Sequence, residues 1–461
     1  MEGGGSLTLT RRLICAVLRV ALRVFFRRIE VAGLERIPAA CPVIFVLNHP
    51  NGLVDPAFML CLAPRRVSFL AKAPLFRMPV IGFFVRALDS LPVYRKQDEG
   101  QDPARNRETF ELSRALLKRG GTIAICPEGV SHDEPRLKPL KTGAARIALG
   151  AASAGEHLPV EIVPAGLYYT AKTSFRSEAL LYFGEPIRVE PVALDPSGDP
   201  PREAVRSLSK QIESAMRACL LNAEHEEALA TISRAERIFS SEDRAGNGMS
   251  LERELQLRRR FIEGYTLLRA RAPERLAALD ARIRRYEEEL KQVGVDAEDL
   301  APPRSTLSVA AHLISRSLLF LLLLPLALFG TLLHYPAYRL AGYVARKFSR
   351  NAEDVVSTIK IIAAMLLFPL TWTALAVACY WLWGSLAALG ALVFAPLAGY
   401  AAVRFREEFD QFVGGAKALL FFITRRWFFK RLLVERRAIR DEIVALGNEA
   451  LSERVSVQTS N

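Results

Sequence analysis

One histidine and one aspartate stand in a segment whose composition favours a tight turn. An apolar run at residues 44–47 leads to His49, and Asp55 follows six residues later. Pro50 and Gly52 lie between them and favour a non-helical connection. A histidine accepts protons near neutral pH, and a carboxylate bound to it fixes its tautomer and stabilises its charged form. The residue types therefore suit a general base and the group that orients it.

A contact between His49 and Asp55 requires the chain to fold back, because a separation of six residues does not place two side chains on one helix face. Asp55 followed by Pro56 is also a good helix start, with aspartate at the N-cap and proline at the first helical position. The ordinary alternative is that Asp55 only caps a helix and His49 is a loop histidine. Metal ligation is weaker, since no second histidine is nearby.

Two other segments carry groups suited to a ligand with hydroxyl or phosphate groups. Glu128 and Gly129 follow an apolar run at residues 122–126. A glycine there allows close backbone approach, and the carboxylate can accept hydrogen bonds from hydroxyls. Arg95 follows another short apolar run, and a planar guanidinium suits a phosphate. Taken singly, Pro-Glu-Gly is only a turn and Arg95 is one of many arginines.

The elements that must position these groups are short apolar runs separated by glycine and proline signals. Several are continuous enough to be strands buried on both faces. The predicted strands are residues 43–47, 122–126, 162–165 and 180–183. Helical patterns at residues 106–118 and 142–152 lie between them, so the alternation predicts an α/β domain.

The rest of the chain divides by composition. The sequence has 461 residues, of which 51% are hydrophobic and 24% charged, so apolar blocks must alternate with charged ones. The predicted divisions are an amphipathic membrane-interface helix at residues 1–30, the α/β domain at 31–201, a helical hairpin region at 202–304, transmembrane or re-entrant segments at 305–404, and basic amphipathic helices at 405–461. In the hairpin region, a heptad pattern runs from Leu276 to Leu290, and glycines at 246 and 248 separate the helices.

The first helix combines an arginine arc with apolar residues. At about 100° per residue, Arg12, Arg19, Arg23 and Arg27 fall within one arc, and apolar side chains occupy the remainder. This pattern predicts a helix in the membrane interface with its arginines among lipid headgroups. The alternative is a core-packing helix with a solvated basic face.

Two long uncharged stretches predict membrane segments. Residues 317–338 suffice to cross a bilayer core of about 30 Å, whereas residues 361–403 are about twice too long for one helix and fit two spans that meet near 383–386. Lysine and arginine flank these stretches at both ends. The positive-inside rule therefore favours a re-entrant or interfacial segment around Pro325 and an active site facing the cytoplasm.

The net charge of +13 suits an anionic partner, but no zinc-finger or RNP-type motif appears, so nucleic acid is not expected. The six cysteines lie far apart without a C-x-x-C pair, which is typical of reduced thiols in a protein facing the cytosol.

Four segments taken in order resemble the glycerol-phosphate acyltransferase superfamily. They are residues 48–56, 92–95, 127–131 and 162–166. The resemblance covers about residues 31–189 and implies a mixed, largely buried sheet flanked by helices. Five residues separate His49 from Asp55, where the usual superfamily pattern has four. The longer spacing, with the PEGVSHD segment at 127–133, resembles the fungal-type glycerol-3-phosphate/dihydroxyacetone-phosphate acyltransferases.

The resemblance also implies roles for individual residues. His49 and Asp55 would be catalytic; the acyl acceptor would be bound by Arg95, Glu128, Gly129 and Ser131. Arg176 is an additional candidate for a phosphate contact, with a structural role as the alternative. No metal and no cofactor are implied.

The expected reaction moves a fatty acyl group from acyl-CoA or acyl carrier protein to the sn-1 hydroxyl of glycerol 3-phosphate or dihydroxyacetone phosphate, in a protein that contacts membrane lipids. A lysophosphatidate sn-2 acyltransferase is the alternative among enzymes. A non-catalytic, lipid-binding membrane scaffold is the alternative of another class.

Overall fold

The computed structural model describes the chain in several stretches, which form two compact units. The units are Met1–Asn222 with Ala345–Ile361, and Ala223–Val344 with Ile362–Asn461. The described residues are 4–95, 105–132, 134, 136–153, 159–220, 234–235, 238, 250–293, 306–349 and 353–458.

The first unit contains an eight-stranded sheet flanked by helices, which confirms the predicted fold class. Its strands are β1 Arg28–Ala32, β2 Val43–Leu47, β3 Val67–Lys72, β4 Leu91–Val93, β5 Thr122–Ile125, β6 Glu161–Tyr169, β7 Glu178–Phe183 and β8 Ile187–Arg188. Their order is β1-β7-β6-β2-β5-β3-β4, with β8 paired to β6. All five residues of β2 are fully buried, as expected for a continuous apolar run at the centre of a sheet.

The sheet is mixed, and its parallel part sets the position of the site. Strands β6, β2, β5, β3 and β4 run parallel, whereas β7 is antiparallel to β6 and parallel to β1. The carboxyl ends of the five parallel strands therefore meet at one edge. In open α/β sheets, that edge is where ligands bind.

The α-helices described beside the sheet are α1 Gly4–Phe25, α2 Val54–Leu62, α3 Pro79–Ala87, α4 Asn106–Lys118, α5 Gly143–Ala152 and α6 Arg202–Arg217. Helix α6 buries Val205, Leu208 and Ile212 in the same core as Ile44 of β2. The N-terminal unit therefore extends past the predicted boundary at residue 201, because the apolar face of α6 packs in its core.

Helix α1 has a packed face and an exposed apolar face. Ile14, Leu22 and Phe25 are buried, so the core-packing alternative holds for that side. An apolar stripe points away from the core: Leu9, Leu13, Val17, Val20 and Val24 are all exposed. The interfacial placement of α1 stays a prediction to which this stripe contributes.

The second unit is helical, and the ends of two of its helices at Ala345–Ile361 belong to the first unit. Its helices are α7 Leu251–Arg271, α8 Pro273–Val293, α9 Thr306–Phe348, α10 Glu353–Trp383, α11 Ser385–Thr424 and α12 Arg426–Gln458. The apolar heptad residues of α8 are buried against side chains of α12 such as Phe429 and Leu432. The predicted glycine break at 246–248 lies outside the described residues. Helix α11 continues past the predicted boundary at residue 404, because its apolar and charged parts form one helix.

Among the described residues, three helical segments are long and apolar enough to cross a membrane: Phe320–Phe348, Val356–Trp383 and Ser385–Asp410. The predicted junction near residues 383–386 is Gly384, which has φ +85° and separates α10 from α11. Helix α9 is unbroken through Pro325 and Pro336, so it shows no re-entrant turn, and the interfacial form of the predicted segment stays a prediction. Prolines within such helices are tolerated where neighbouring groups satisfy the freed carbonyls.

Candidate active site

The loop between β2 and α2 brings His49 onto Asp55. His49 Nδ1 lies 2.8 Å from Asp55 Oδ2, and the same oxygen accepts the Asn51 backbone N–H at 2.7 Å. Asp55 Oδ1 accepts the Tyr169 hydroxyl at 2.7 Å. The Asp55 side chain is fully buried, whereas that of His49 is 22% exposed. A carboxylate on Nδ1 keeps the proton on that nitrogen, which leaves Nε2 to accept a proton from a substrate.

The local backbone explains why the loop folds back. The Asn48 side chain makes two hydrogen bonds to the backbone of Leu167 on β6, at 2.8 and 3.0 Å. Gly52 takes φ +41°, a conformation that glycine adopts readily. Helix α2 begins at Val54, so Asp55 is its second residue and not the N-cap. The alternative in which Asp55 only caps a helix is therefore wrong.

Tyr169, at the end of β6, is the third residue of this arrangement. Its ring stacks on Phe26 at a centroid distance of 5.6 Å and meets the Phe58 ring edge-on at 5.7 Å. Burial, together with the nearby Asp55 carboxylate, raises the pKa of Tyr169 well above its ordinary value. The phenol consequently remains a protonated donor. Sequence reasoning missed Tyr169, because only the pairing of β6 with β2 brings it to this loop.

A second histidine–carboxylate pair follows β5. Glu128 is fully buried, and its Oε2 binds His132 Nε2 and accepts the Lys138 backbone N–H at 2.8 Å. The other carboxylate oxygen, Oε1, makes no hydrogen bond to the described residues. The His132 backbone N–H donates to the His49 carbonyl at 3.2 Å, so the two loops are joined. Ser131 lies partly buried in the same loop. His132 was not among the predicted site residues.

Two cationic side chains converge on Gly129. Arg95 donates from its guanidinium to the Gly129 carbonyl at 2.7 Å. Gly129 has φ +74°, and a Cβ there would lie 2.7 Å from Lys141 Nζ. Glycine is thus required both by the backbone conformation and by the approach of the lysine. The structure brings Arg95, Glu128 and Gly129 together, as predicted, and adds Lys141.

Arg176 has another position. Its backbone N–H donates to the Phe25 carbonyl at 2.6 Å, and its guanidinium donates to the carbonyls of Arg23 and Val24 at 3.2 and 3.3 Å. A cation at the carboxyl end of a helix satisfies free carbonyls and interacts favourably with the helix dipole. These bonds favour the structural alternative over the phosphate contact.

Comparison with known families agrees with this geometry. Residues 28–168 match the family described as Acyltransferase, and residues 231–451 match the Glycerol-3-phosphate acyltransferase 2 C-terminal domain. The chain therefore carries an acyltransferase domain followed by a glycerol-3-phosphate acyltransferase 2 C-terminal domain, and this pairing fits the fungal-type branch of the glycerol-phosphate acyltransferase superfamily.

Three curated relatives illustrate the similarity. Glycerol-3-phosphate O-acyltransferase 2 of Saccharomyces cerevisiae is 30% identical over 58% of this chain and 37% of its own length. Glycerol-3-phosphate O-acyltransferase 1 of the same yeast is 25% identical over 75% of this chain and 58% of its own. An uncharacterized acyltransferase of Schizosaccharomyces pombe is 24% identical over 85% of this chain and 73% of its own length. The chain thus spans less than two thirds of the length of either Saccharomyces relative.

Proposed function

We propose that this protein transfers a fatty acyl group from an acyl thioester to the sn-1 hydroxyl of glycerol 3-phosphate, with dihydroxyacetone phosphate as a second candidate acceptor. The observation that carries the proposal is the buried Asp55 carboxylate holding His49 at the edge of the sheet where Arg95 and Lys141 supply positive charge. The arrangement suits a general base beside a phosphorylated alcohol.

The chemistry proceeds without an acyl-enzyme. His49 Nε2 removes the proton of the acceptor hydroxyl as that oxygen attacks the thioester carbonyl. Collapse of the tetrahedral oxyanion breaks the carbon–sulfur bond, and the imidazolium returns its proton to the departing thiolate. Asp55 stabilises the transient imidazolium, while Asn51 and Tyr169 hold the carboxylate in place. No resident metal or cofactor takes part in this scheme.

The acceptor is bound through charge and hydrogen bonds at the adjoining loop. Arg95 and Lys141 are positioned for a phosphate, and Glu128 Oε1 for a hydroxyl of the acceptor. Gly129 permits this approach, and Ser131 adds a hydroxyl in the same loop. The longer His49–Asp55 spacing and the matched C-terminal domain favour glycerol 3-phosphate. The same base acting on the sn-2 hydroxyl of lysophosphatidate is the alternative within enzymes.

Membrane association keeps the site near its lipid product. Three apolar helices suggest that association. The exposed apolar stripe of α1, beside its arginines, would lie among the headgroups, with the site facing the cytoplasm, where acyl-CoA or acyl carrier protein is supplied.

A panel of acceptors and donors tests the proposal with the purified chain in lipid vesicles. The acceptors are glycerol 3-phosphate, dihydroxyacetone phosphate and lysophosphatidate, each with acyl-CoA and acyl carrier protein. We expect transfer to glycerol 3-phosphate, and we expect His49→Ala to lower kcat by about 10²–10⁴-fold, the usual effect of losing a general base. Transfer to lysophosphatidate alone would contradict the acceptor. Absence of acyl transfer from every donor would favour the alternative of a non-catalytic, lipid-binding membrane scaffold.

A further inference from the structure

The beginning of α10 lies against the loops that carry the candidate catalytic groups. Ser357, Thr358 and Lys360 belong to Ala345–Ile361, a segment that joins the end of α9 to the start of α10 and forms part of the N-terminal unit. Ser357 is fully buried and Thr358 is 8% exposed. This burial requires polar partners for both hydroxyls.

Thr358 binds the start of helix α2. Its Oγ1 accepts the Leu53 backbone N–H at 3.1 Å. Leu53 is the N-cap residue of α2, and N–H groups at a helix start have no acceptor within their own helix. Asp55 lies two residues further on. The hydroxyl therefore fixes the end of the loop from which Asp55 reaches His49.

Ser357 and Lys360 bind the loop that follows Tyr169. Ser357 Oγ donates to the Lys172 carbonyl, and Lys360 Nζ donates to the Thr173 carbonyl at 2.6 Å. The Asn51 side chain also approaches the Lys172 carbonyl, at 3.5 Å. Both segments that supply hydrogen bonds to Asp55 are thus bound to the same turn of α10.

We propose that Thr358, supported by Ser357, is a positioning residue for acyl transfer that fixes the His49–Asp55 pair to the first turns of α10. The apolar helix Val356–Trp383 begins only two residues before Thr358. The loop that carries Asp55 is thereby bound to the first turns of this helix. This inference rests on the proposed acyl transfer by His49.

Thr358→Val tests the role, because valine has nearly the same shape but cannot accept the Leu53 N–H. We expect kcat for acyl transfer to fall about tenfold, with KM for donor and acceptor changed less than about twofold, since small misplacements of a reacting group mainly slow the chemical step. Thr358→Ser keeps the hydroxyl and should retain most activity. Thr373→Val is the matched control, because Thr373 is exposed on the same helix and its hydroxyl donates to the Pro369 carbonyl of that helix. This variant should have the activity of wild type.

Hydrogen exchange of the segment containing Leu53 gives a second readout. Exchange should be faster in Thr358→Val than in Thr358→Ser. Should the valine variant not fold, Thr358→Cys replaces it, because cysteine and serine differ mainly in the acceptor atom. If His49→Ala abolishes acyl transfer while the folded variant, Thr358→Val or Thr358→Cys, keeps the kcat of wild type, the positioning role of Thr358 is refuted. If His49→Ala leaves transfer intact, the proposed base is wrong whatever the result at Thr358.

Discussion

Within the described part of the chain, Asp55 receives hydrogen bonds from His49, Asn51 and Tyr169, and its side chain is fully buried. A buried carboxylate is costly unless such donors surround it. The three donors also define its orientation, since each oxygen has a fixed partner. The orientation of the His49 imidazole therefore depends on how firmly the Asp55 carboxylate is held.

Asp55→Asn should remove most acyl transfer while preserving the fold. Asparagine has the size of aspartate but places a donor where the carboxylate accepted, so it favours the wrong tautomer of His49 and cannot stabilise the imidazolium. We expect kcat to fall about 10²–10⁴-fold. Steady-state kinetics would measure the loss, and thermal unfolding would verify the fold. A change confined to KM would contradict the role.

Tyr169→Phe should have a smaller effect than Asp55→Asn, because only the hydrogen bond from Tyr169 to Asp55 is lost. We expect kcat to fall up to about tenfold.

The raised pKa of Tyr169 also fixes the sign of the pH dependence of the rate. An ionised phenol would no longer donate, but the ionisation occurs above the ordinary value of about 10. Rate profiles to pH 10 should therefore show the same alkaline limb in wild type and variant. A fall of the rate at alkaline pH in wild type but not in Tyr169→Phe would contradict the raised pKa of Tyr169.

At the scale of elements, helix α1 is held by a buried arginine. Arg11 donates to the carbonyls of Leu88 and Val67 at 2.6 and 2.7 Å and pairs with Asp89 at 3.1 Å. Burial lowers the pKa of Arg11. Sequence patterning identified the neighbouring arginine arc but not this residue, since its acceptors come from two distant segments.

Arg11→Met should destabilise the N-terminal unit, whereas Arg12→Met should not. Methionine leaves the carbonyls of Leu88 and Val67 without their arginine donor, and each such loss lowers the free energy of unfolding by about 1–3 kcal/mol. For a unit of this size, about 1 kcal/mol lowers Tm by roughly 2–4 °C. Arg12 is exposed on the adjacent face of the same helix, so it is the matched control. Equal Tm values for the two variants would contradict a structural role of Arg11.

At the scale of the whole molecule, the side of the membrane that the site faces can be tested directly. Ala193→Cys introduces a thiol at an exposed position of the N-terminal unit. If the site faces the cytoplasm, a membrane-impermeant maleimide should label this variant only after cells are permeabilised. Wild type, whose described cysteines are buried or partly buried, is the control. Labelling of intact cells at the permeabilised level would place the site on the opposite side.

Continuous apolar runs made the central strands and the α/β class predictable, because a strand buried on both faces has almost no choice of residue type. The junction at Gly384 followed from span length. The packing of α6 beyond residue 201 was not predictable, since a charged amphipathic helix has the same pattern whichever unit covers its apolar face.

The sequence by itself determined that His49 and Asp55 stand in a turn-forming segment with the residue types of a base and its orienting group, and that Arg95 and Glu128 follow other strands. Tertiary structure decided that Asp55 turns back to His49 instead of capping α2, and that Tyr169, His132 and Thr358 join the arrangement. The reason is physical: a side chain's local pattern reports its own element, but its hydrogen-bond partners come from strands and helices that only the folded chain brings together.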